Sequence, residues 1–293
     1  MTQLIRKCPN GCASRLRPSG LTVPGGELNR CDVCGQLVSS TSEAHFNAGN
    51  QHWDKAEGTW PDDRSYVRLL RRKTRDIRNI AKLLKKDCAD IRILDVGCSN
   101  GVFVHIANTL GMQAEGVDTS PQAVADGIKR GLKLHQGYLQ DIAFQNESFD
   151  VVTMYEVIEH VADSADLIKA CARILRPGGL LLIGTGNANS WTRFIRRGKW
   201  DFLNDHVGHV NFFSPRSLTI AAPRFGFRVV KVVTYSVKFF EKNEVNPVFY
   251  RVMKILGEIV NLPARWCDRG HQMEVYLRRE ESDRINRGAS AAP

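Results

Sequence analysis

The sequence predicts an α/β fold, in which a mostly parallel sheet is flanked by helices and preceded by a small metal-binding module. Short apolar runs alternate with helical segments between residues 91 and 184, a pattern typical of βαβ units. Four of the eight cysteines fall within the first 34 residues, in two closely spaced pairs that favour a metal site. The 293 residues suit one α/β domain with a small module added to it.

The N-terminal module is predicted from two cysteine pairs that frame a loop with glycine and proline. The first pair stands in Cys8-Pro9-Asn10-Gly11-Cys12 and the second in Cys31-Asp32-Val33-Cys34. Four thiolates complete a closed tetrahedral zinc site, which is structural and not catalytic. We therefore predict a zinc-ribbon-like module over residues 1–45, with His45 as a further candidate ligand. The remaining cysteines have no paired spacing and are expected to be free thiols.

A basic helix is predicted to link the module to the α/β domain, within residues 46–90. Residues 64–86 hold ten Lys or Arg residues and a single acid, Asp76. Apolar residues recur there at helical spacing and leave most of the cations on the other face. These cations are Arg68, Arg71, Arg72, Arg75, Arg78, Lys82 and Lys85. The face is either simply solvated or contacts an anionic partner such as RNA, an acidic substrate or a membrane surface.

The α/β domain is predicted over residues 91–280 from its alternating elements. Strands are expected at 91–96, 113–117, 132–135, 149–154 and 180–184, followed by strands at 227–237 and 273–277. Helices are expected at 102–110, 121–130, 165–175 and about 246–262. Two longer insertions, about 187–214 and 238–270, are expected to act as lids. Residues 281–293 are expected to be a disordered tail.

A glycine-bearing turn after the first strand is the candidate cofactor loop. The run Ile93-Leu94-Asp95-Val96-Gly97-Cys98-Ser99-Asn100-Gly101 passes from a buried strand into a helix, which brings the backbone close to a nucleotide-type ligand. Asp118 ends the second strand, where a carboxylate can accept hydrogen bonds from two ribose hydroxyls. A nicotinamide-binding enzyme is the alternative, but the G-x-G-x-x-G turn that its pyrophosphate needs does not occur here.

Taken in order, these motifs resemble those of the class I, Rossmann-like, S-adenosylmethionine-dependent methyltransferases over residues 66–280. The motifs are the glycine loop, Asp118, Gln140-Asp141-Ile142, Phe149-Asp150-Val151-Val152 and Leu175-Arg176-Pro177-Gly178-Gly179. The resemblance implies that Asp95 lies near the methionine amino group and that Gly97 and Gly101 let the backbone pass the methionine. It also implies that Asp118 binds the ribose, while Asp141 and Ile142 contact the adenine. Cys98 and Tyr155 complete the predicted cofactor set.

The candidate catalytic residues follow the fourth strand, in Tyr155-Glu156-Val157-Ile158-Glu159-His160-Val161. Glu156, Glu159 and His160 stand at i, i+3 and i+4, so we predict that they share one helical face. With His206 or His209 they would form a mixed oxygen and nitrogen site suited to Mg²⁺ or Mn²⁺.

This run resembles the Glu-x-x-Glu-His motif of the ubiquinone-biosynthesis O-methyltransferases and of the small-RNA 3′-end 2′-O-methyltransferases. In related enzymes the histidine acts alone, so His160 as a metal-independent general base stays open.

The favoured function is O-methylation of a hydroxyl on a small molecule, a glycan or a lipid-linked intermediate, by an enzyme similar to the ubiquinone-biosynthesis type. The module also makes the chain similar to sugar methyltransferases with N-terminal zinc-binding domains. RNA methylation is the second hypothesis, because of the basic helix and the zinc module. A non-catalytic zinc-ribbon protein that senses the cofactor is the third. N-methylation and the oligomeric state stay open.

Composition and the N-terminus lead us to expect a cytoplasmic enzyme. Hydrophobic residues make up 43% and charged residues 25% of the chain, which is close to the globular average and argues against a disordered or membrane protein. The N-terminus lacks the apolar core of a secretory signal. The net charge of +10 arises mainly in the basic segment.

Overall fold

The computed structural model describes residues 3–54, 58–204 and 208–281. The strands are β1 Leu16–Val23, β2 Gly26–Cys31, β3 Leu37–Ser39, β4 Arg92–Val96, β5 Gln113–Asp118, β6 Leu134–Gln136, β7 Phe149–Tyr155, β8 Leu175–Gly186, β9 Asn211–Phe212, β10 Phe227–Tyr235 and β11 Gln272–Arg279. The α-helices are α1 Glu43–Asp54, α2 Asp63–Leu84, α3 Val102–Thr109, α4 Pro121–Lys129, α5 Ser164–Ile174, α6 Trp191–Arg196, α7 Asp201–Asn204, α8 Pro215–Ala221 and α9 Pro247–Trp266.

The main sheet has seven strands in the order β10-β11-β8-β7-β4-β5-β6. The pairs β4–β5, β4–β7, β5–β6 and β7–β8 are parallel. Strand β11 is antiparallel to both of its neighbours, β10 and β8. The predicted α/β fold with a mostly parallel sheet is therefore confirmed, with one reversed strand near its edge.

The central strands are buried along almost their whole length. Residues 180–183 of β8 are all fully buried, as expected for a sheet that is covered by helices on both faces. The helix starts are set locally: the Ser120 side chain accepts a hydrogen bond from the Ala123 amide at the start of α4, and Asp62 does the same for Ser65 at the start of α2. Each cap fixes where the chain leaves a strand or loop and becomes helical.

A second sheet of four strands joins the N-terminal module to the α/β domain. Its order is β1-β2-β3-β9, and Leu37 of β3 pairs with Phe212 of β9. The Ser39 amide also donates to the carbonyl of Val210 at 2.9 Å. The cysteine-bearing module is thus hydrogen-bonded to the last residues of the predicted lid.

Helix α2 spans most of the predicted basic segment, but its cations do not all face solvent. Lys73 and Asp76 are buried, and Arg75 donates to both Asp76 and Glu274 at 3.0 Å. Arg75 itself remains exposed, as predicted, but its guanidinium pairs with a buried acid of the helix and with another on β11. The predicted basic face of α2 is therefore present, with the charge of Arg75 partly neutralised by these two carboxylates.

The other differences concern element ends and short helices. Strand β8 begins at Leu175, five residues before the predicted start, and α9 continues to Trp266. The predicted lid over 187–214 contains α6 and α7. Within the described parts of the chain, no helix is long and apolar enough to cross a membrane.

Candidate active site

A deep cleft of about 1480 Å³ opens where β4, β5 and β7 end. The carboxyl ends of parallel strands are the usual binding edge of such sheets. Its walls include the Gly97 loop, Asp118, the segment 137–140, Glu156, His160 and His209. This volume exceeds that of most single-ligand pockets, so the cleft has room for a nucleoside cofactor and an acceptor together.

The glycine loop passes under the cleft with two backbone conformations that disfavour side chains. Gly97 has φ +71° and Gly101 has φ +83°, in the left-handed region that favours glycine. A Cβ at Gly97 would collide with the Val157 side chain, and one at Gly101 would lie 2.7 Å from Leu132. Gly97 lines the cleft, whereas Gly101 packs beneath the loop and starts α3. Both glycines therefore shape the loop, and only Gly97 borders the ligand space.

Asp118 is held in place at the cleft wall by two backbone amides. The Ser99 amide donates to Oδ2 at 2.7 Å and the Ser120 amide donates to Oδ1 at 2.9 Å. Ser99 adopts φ +50°, a left-handed conformation that costs a serine about 1 kcal/mol. Each carboxylate oxygen keeps a second lone pair, and these suit two adjacent ribose hydroxyls.

Asp95 lies beneath the loop, at the end of β4. Its Oδ1 accepts a hydrogen bond from the Thr153 hydroxyl at 2.6 Å. Burial raises the pKa of Asp95 to about 7, although the Thr153 bond and the Lys73 charge oppose this. Lys73 is itself buried, and its Nζ lies 2.6 Å from the ring centroid of Tyr155. Asp95 does not line the cleft, whereas its neighbours Val96 and Gly97 do.

Three of the predicted cofactor residues, Cys98, Asp141 and Ile142, differ from expectation. The Cys98 side chain is buried in the core beside Gly116, so only its backbone can reach the cofactor. Asp141 is exposed and Ile142 half-buried; neither lines the cleft, which is bordered instead by Tyr138, Leu139 and Gln140. In the turn after β6, the three residues before Asp141 border the cleft and Asp141 itself does not. Tyr155 lies on the cleft wall, as the sequence predicts.

Three of the candidate catalytic residues form one cluster, two members of which line the cleft. Ligand atoms of Glu159, His160 and His209 all lie within 4.8 Å of one another. Glu159 is only 2% exposed, and the polar side chains that act on its carboxyl are those of Thr185 and Glu156. A buried carboxylate beside a second carboxyl group costs several kcal/mol unless it is protonated or bound to a cation.

Glu156 reaches the same cleft by a different route. The helical segment is a single 3₁₀ turn over Ile158–His160, and Glu156 precedes it with φ +54°. The predicted shared helical face is therefore wrong, because the chain turns sharply after β7. Glu156 nevertheless lines the cleft. Burial raises the pKa of both carboxyl groups, and the charge of Glu156 raises that of Glu159 further.

His209 is oriented by the backbone of the segment before it. Its Nδ1 lies 2.9 Å from the carbonyl oxygen of Phe202, and a carbonyl only accepts, so Nδ1 carries the proton and Nε2 the lone pair. The Phe202 ring stacks on the imidazole at 5.4 Å, and the rings of His160 and His209 are 4.6 Å apart. The Val210 amide donates to the carbonyl of Glu159 at 2.8 Å. His206, the other predicted histidine, lies outside the described residues.

The four cysteines of the module form one buried cluster. The sulfur atoms of Cys8, Cys12, Cys31 and Cys34 all lie within 4.8 Å of one another, and all four thiols are free. Gly11 and Gly35, which follow the turns, have φ +68° and +74°, as tight turns of this kind require. His45 does not belong to this cluster.

Sequence reasoning missed a polar group on the side of the cleft nearest β11. The Trp200 indole donates to Nδ1 of His271 at 3.2 Å, and Nε2 of His271 lies 3.2 Å from Asp201. Lys238 also pairs with Asp201, at 2.9 Å. Burial raises the pKa of Asp201, but the hydrogen bond with His271 and the charge of Lys238 outweigh burial and hold it well below its usual range. No sequence motif links the residues, which come from α7, the strand β11 region and the segment after β10.

The fold, the glycine loop and the Asp118 site define an S-adenosylmethionine-dependent methyltransferase. A family model described as "Methyltransferase domain" matches residues 66–232, which is more than half of the chain. The protein therefore belongs to this methyltransferase domain family.

Several known proteins are similar to this chain. The ubiquinone biosynthesis O-methyltransferase of Xanthomonas oryzae pv. oryzae is 40% identical over 108 residues, 34% of this chain and 45% of that protein. The protein of the same name from Bradyrhizobium diazoefficiens is 30% identical over 175 residues, 55% of this chain and 66% of that protein. The chain thus spans less than two thirds of the length of these relatives.

A solved structure supports the fold alone. A SAM-dependent methyltransferase from Archaeoglobus fulgidus has a TM-score of 0.50 and 18% identity, covering 71% of this chain and 94% of that one.

Replacing Asp118 with alanine is expected to weaken S-adenosylmethionine binding at least about tenfold, because two ribose hydroxyls lose a charged acceptor worth about 1.5–3 kcal/mol per bond. Isothermal titration calorimetry measures the change. Asp126→Ala is the matched control, because Asp126 is an exposed acid on α4 that pairs with Arg130. Equal affinities of the two variants would remove Asp118 from the ribose site.

Proposed function

We propose that the protein methylates a hydroxyl group of a small molecule, a glycan or a lipid-linked intermediate. The observation that carries the proposal is the buried Glu159 carboxylate, one oxygen of which lies within 4.8 Å of a ring nitrogen of His160 and of His209. This cluster borders the same cleft as the cofactor loop. The O-methyltransferases named among the relatives support a hydroxyl acceptor.

Methyl transfer to a hydroxyl requires collinear donor and acceptor atoms and removal of one proton. In the proposed reaction the acceptor oxygen attacks the methyl carbon, the bond from that carbon to sulfur breaks, and the hydroxyl proton passes to an imidazole. His160 lines the cleft and takes this proton, while His209 and Glu159 stabilise the resulting imidazolium. The stacking of Phe202 on His209 keeps that imidazole oriented.

The same residues fit a divalent cation. Glu159 supplies a buried carboxylate, Glu156 adds a second carboxylate on the cleft wall, and the two histidines add nitrogen. Such a set suits Mg²⁺ or Mn²⁺. When bound, the cation would lower the pKa of the acceptor hydroxyl.

The acceptor class is tested with methyl-labelled cofactor and a fractionated cell extract. We expect label in an alkali-stable methyl ether of a small molecule, glycan or lipid. Label found only on amines would contradict O-methylation, and label in RNA would favour the second hypothesis. Lys73 of α2 is buried and Arg75 pairs with Asp76 and Glu274, so the exposed cations that remain on this helix, among them Arg71 and Arg72, are the ones that this outcome would involve.

We also propose that the four clustered cysteines bind one structural zinc ion, within a module over residues 1–45. Their buried sulfurs suit tetrahedral Zn²⁺. The Asn10 side chain lies 3.5 Å from Cys34 Sγ and 3.4 Å from the Ser217 carbonyl, so the site is joined to α8.

Metal analysis of the reduced, purified protein is expected to find about one zinc per chain, since a closed Cys₄ site binds tightly. Replacing both Cys31 and Cys34 with serine should remove it, because two of four ligands are lost. Replacing Cys88 and Cys267 with serine, which lie outside the cluster, is the control and should leave the zinc content unchanged. Zinc retained by the Cys31→Ser, Cys34→Ser protein would contradict the site.

A further inference from the structure

Helix α9 carries an exposed apolar stripe along its whole length. Its members recur three or four residues apart and are all more than half exposed: Val248 72%, Val252 56%, Ile255 63%, Ile259 62%, Leu262 62% and Trp266 89%. This spacing places them on one face of the helix. Contiguous apolar surfaces of this kind mark sites of interaction with proteins or membranes.

The opposite face of α9 is the one that anchors the helix to the protein. Gly257 and Ala264 are buried there, and a Cβ at Gly257 would collide with the carbonyl oxygen of Val237. The ring of Phe249 also packs on Phe240, with 5.6 Å between centroids. Helix α9 therefore packs on the domain through this face, and the exposed stripe is not needed for that packing in the described part of the chain.

The charges beside the stripe indicate what covers it. Arg251, Lys254 and Arg265 are all exposed and lie on one flank, with Glu258 as the acid among them. A second copy packed on the same face would bring two net positive flanks together. A surface of anionic lipid headgroups instead complements these cations, while the apolar residues enter the acyl boundary.

Helix α9 follows a segment that forms part of the cleft wall. The segment just before it contributes Ser236, Lys238 and Glu241 to the cleft wall, and α9 follows directly after Asn246. A membrane that contacts α9 would therefore lie beside the cleft. We propose that α9 is an interfacial helix that docks the protein on bilayers containing anionic phospholipid. The proposal does not depend on the acceptor proposed above.

The test measures binding of the full-length protein to vesicles by sedimentation. We expect binding to vesicles of phosphatidylcholine with about 30% phosphatidylglycerol, weaker binding to phosphatidylcholine alone, and loss of binding at high salt. Replacing both Ile255 and Ile259 with serine should weaken binding at least about tenfold, since two inserted side chains are lost. Arg251→Glu with Lys254→Glu should weaken it by a similar factor.

Matched controls separate α9 from other exposed surfaces. Ile128→Ser changes an isoleucine on α4 that is 51% exposed, and Arg71→Glu with Arg72→Glu reverses two exposed cations of α2. Both controls should bind like the unaltered protein. Cofactor affinity, measured by calorimetry, should stay unchanged in every variant and shows that each is folded.

Three outcomes would overturn the proposal. The first is binding of the unaltered protein to neither kind of vesicle. The second is equal losses in the α2 and α9 charge variants, which would assign the membrane surface elsewhere. The third is a dimer in analytical ultracentrifugation that the Ile255→Ser, Ile259→Ser variant converts to a monomer, with no vesicle binding by either, since the stripe would then join two copies.

Discussion

Replacing His160 with alanine is expected to abolish turnover, with a loss of about 10²–10⁴-fold, the usual contribution of a positioned acid–base group. Affinity for S-adenosylmethionine should stay nearly unchanged, because we assign His160 to the proton of the acceptor and not to the cofactor. Single-turnover transfer of labelled methyl measures the first effect and calorimetry the second. His105→Ala is the control, since His105 lies on α3, outside the cleft lining.

The metal and base versions of this mechanism predict different responses to EDTA. If Glu156, Glu159, His160 and His209 hold Mg²⁺ or Mn²⁺, EDTA should stop the reaction, and either cation should restore it. Glu156→Gln should then be almost as damaging as His160→Ala. If His160 acts alone, EDTA should have no effect while the zinc content is unchanged. A fully active His160→Ala enzyme would contradict both versions and leave positioning as the whole of catalysis.

Most of the α/β domain could be predicted from the sequence because its signals are local. Strands such as β4 and β8 are continuous apolar runs, and the caps of α2 and α4 stand where the chain becomes helical. The glycine loop and Asp118 were predictable for the same reason: each directly follows a strand. The strands of the small sheet were not, since β9 has two residues and forms only by pairing with β3, more than 170 positions earlier.

The site was predicted in its residue types but not in its geometry. The left-handed φ of Glu156 cannot be inferred from its residue type. The i, i+3, i+4 spacing of Glu156, Glu159 and His160 therefore suggested a shared helical face that is not present. The burial of Cys98 depends on the space above Gly116, on another strand. The group of Asp201, Lys238 and His271 is assembled from distant segments, and neither spacing nor composition indicates it. Contacts between segments far apart in the chain account for each of these differences.

Glu159→Gln is expected to abolish most activity and yet stabilise the metal-free protein at neutral pH. The pKa of Glu159 is raised in the folded state, by burial first and then by Glu156, so folding favours its protonated form. The free energy of unfolding is therefore highest, as far as Glu159 is concerned, below the unfolded pKa of about 4.3. It falls as the pH rises from there to the folded pKa, because the unfolded chain releases the proton that the folded protein still binds. A neutral amide avoids this cost.

Thermal unfolding after EDTA treatment measures the effect. A gain of about 1–3 kcal/mol would raise the Tm by several degrees at pH 7 and by little at pH 4, where the wild-type carboxyl is protonated in both states. Glu258→Gln, an exposed acid on α9, should shift the Tm at neither pH. Under the metal version, Mg²⁺ or Mn²⁺ should raise the Tm of the wild type but not that of Glu159→Gln, since only the carboxylate binds the cation in the folded state. A Glu159→Gln protein that is less stable at pH 7 and still active would assign Glu159 to the packing of the fold and remove it from the site.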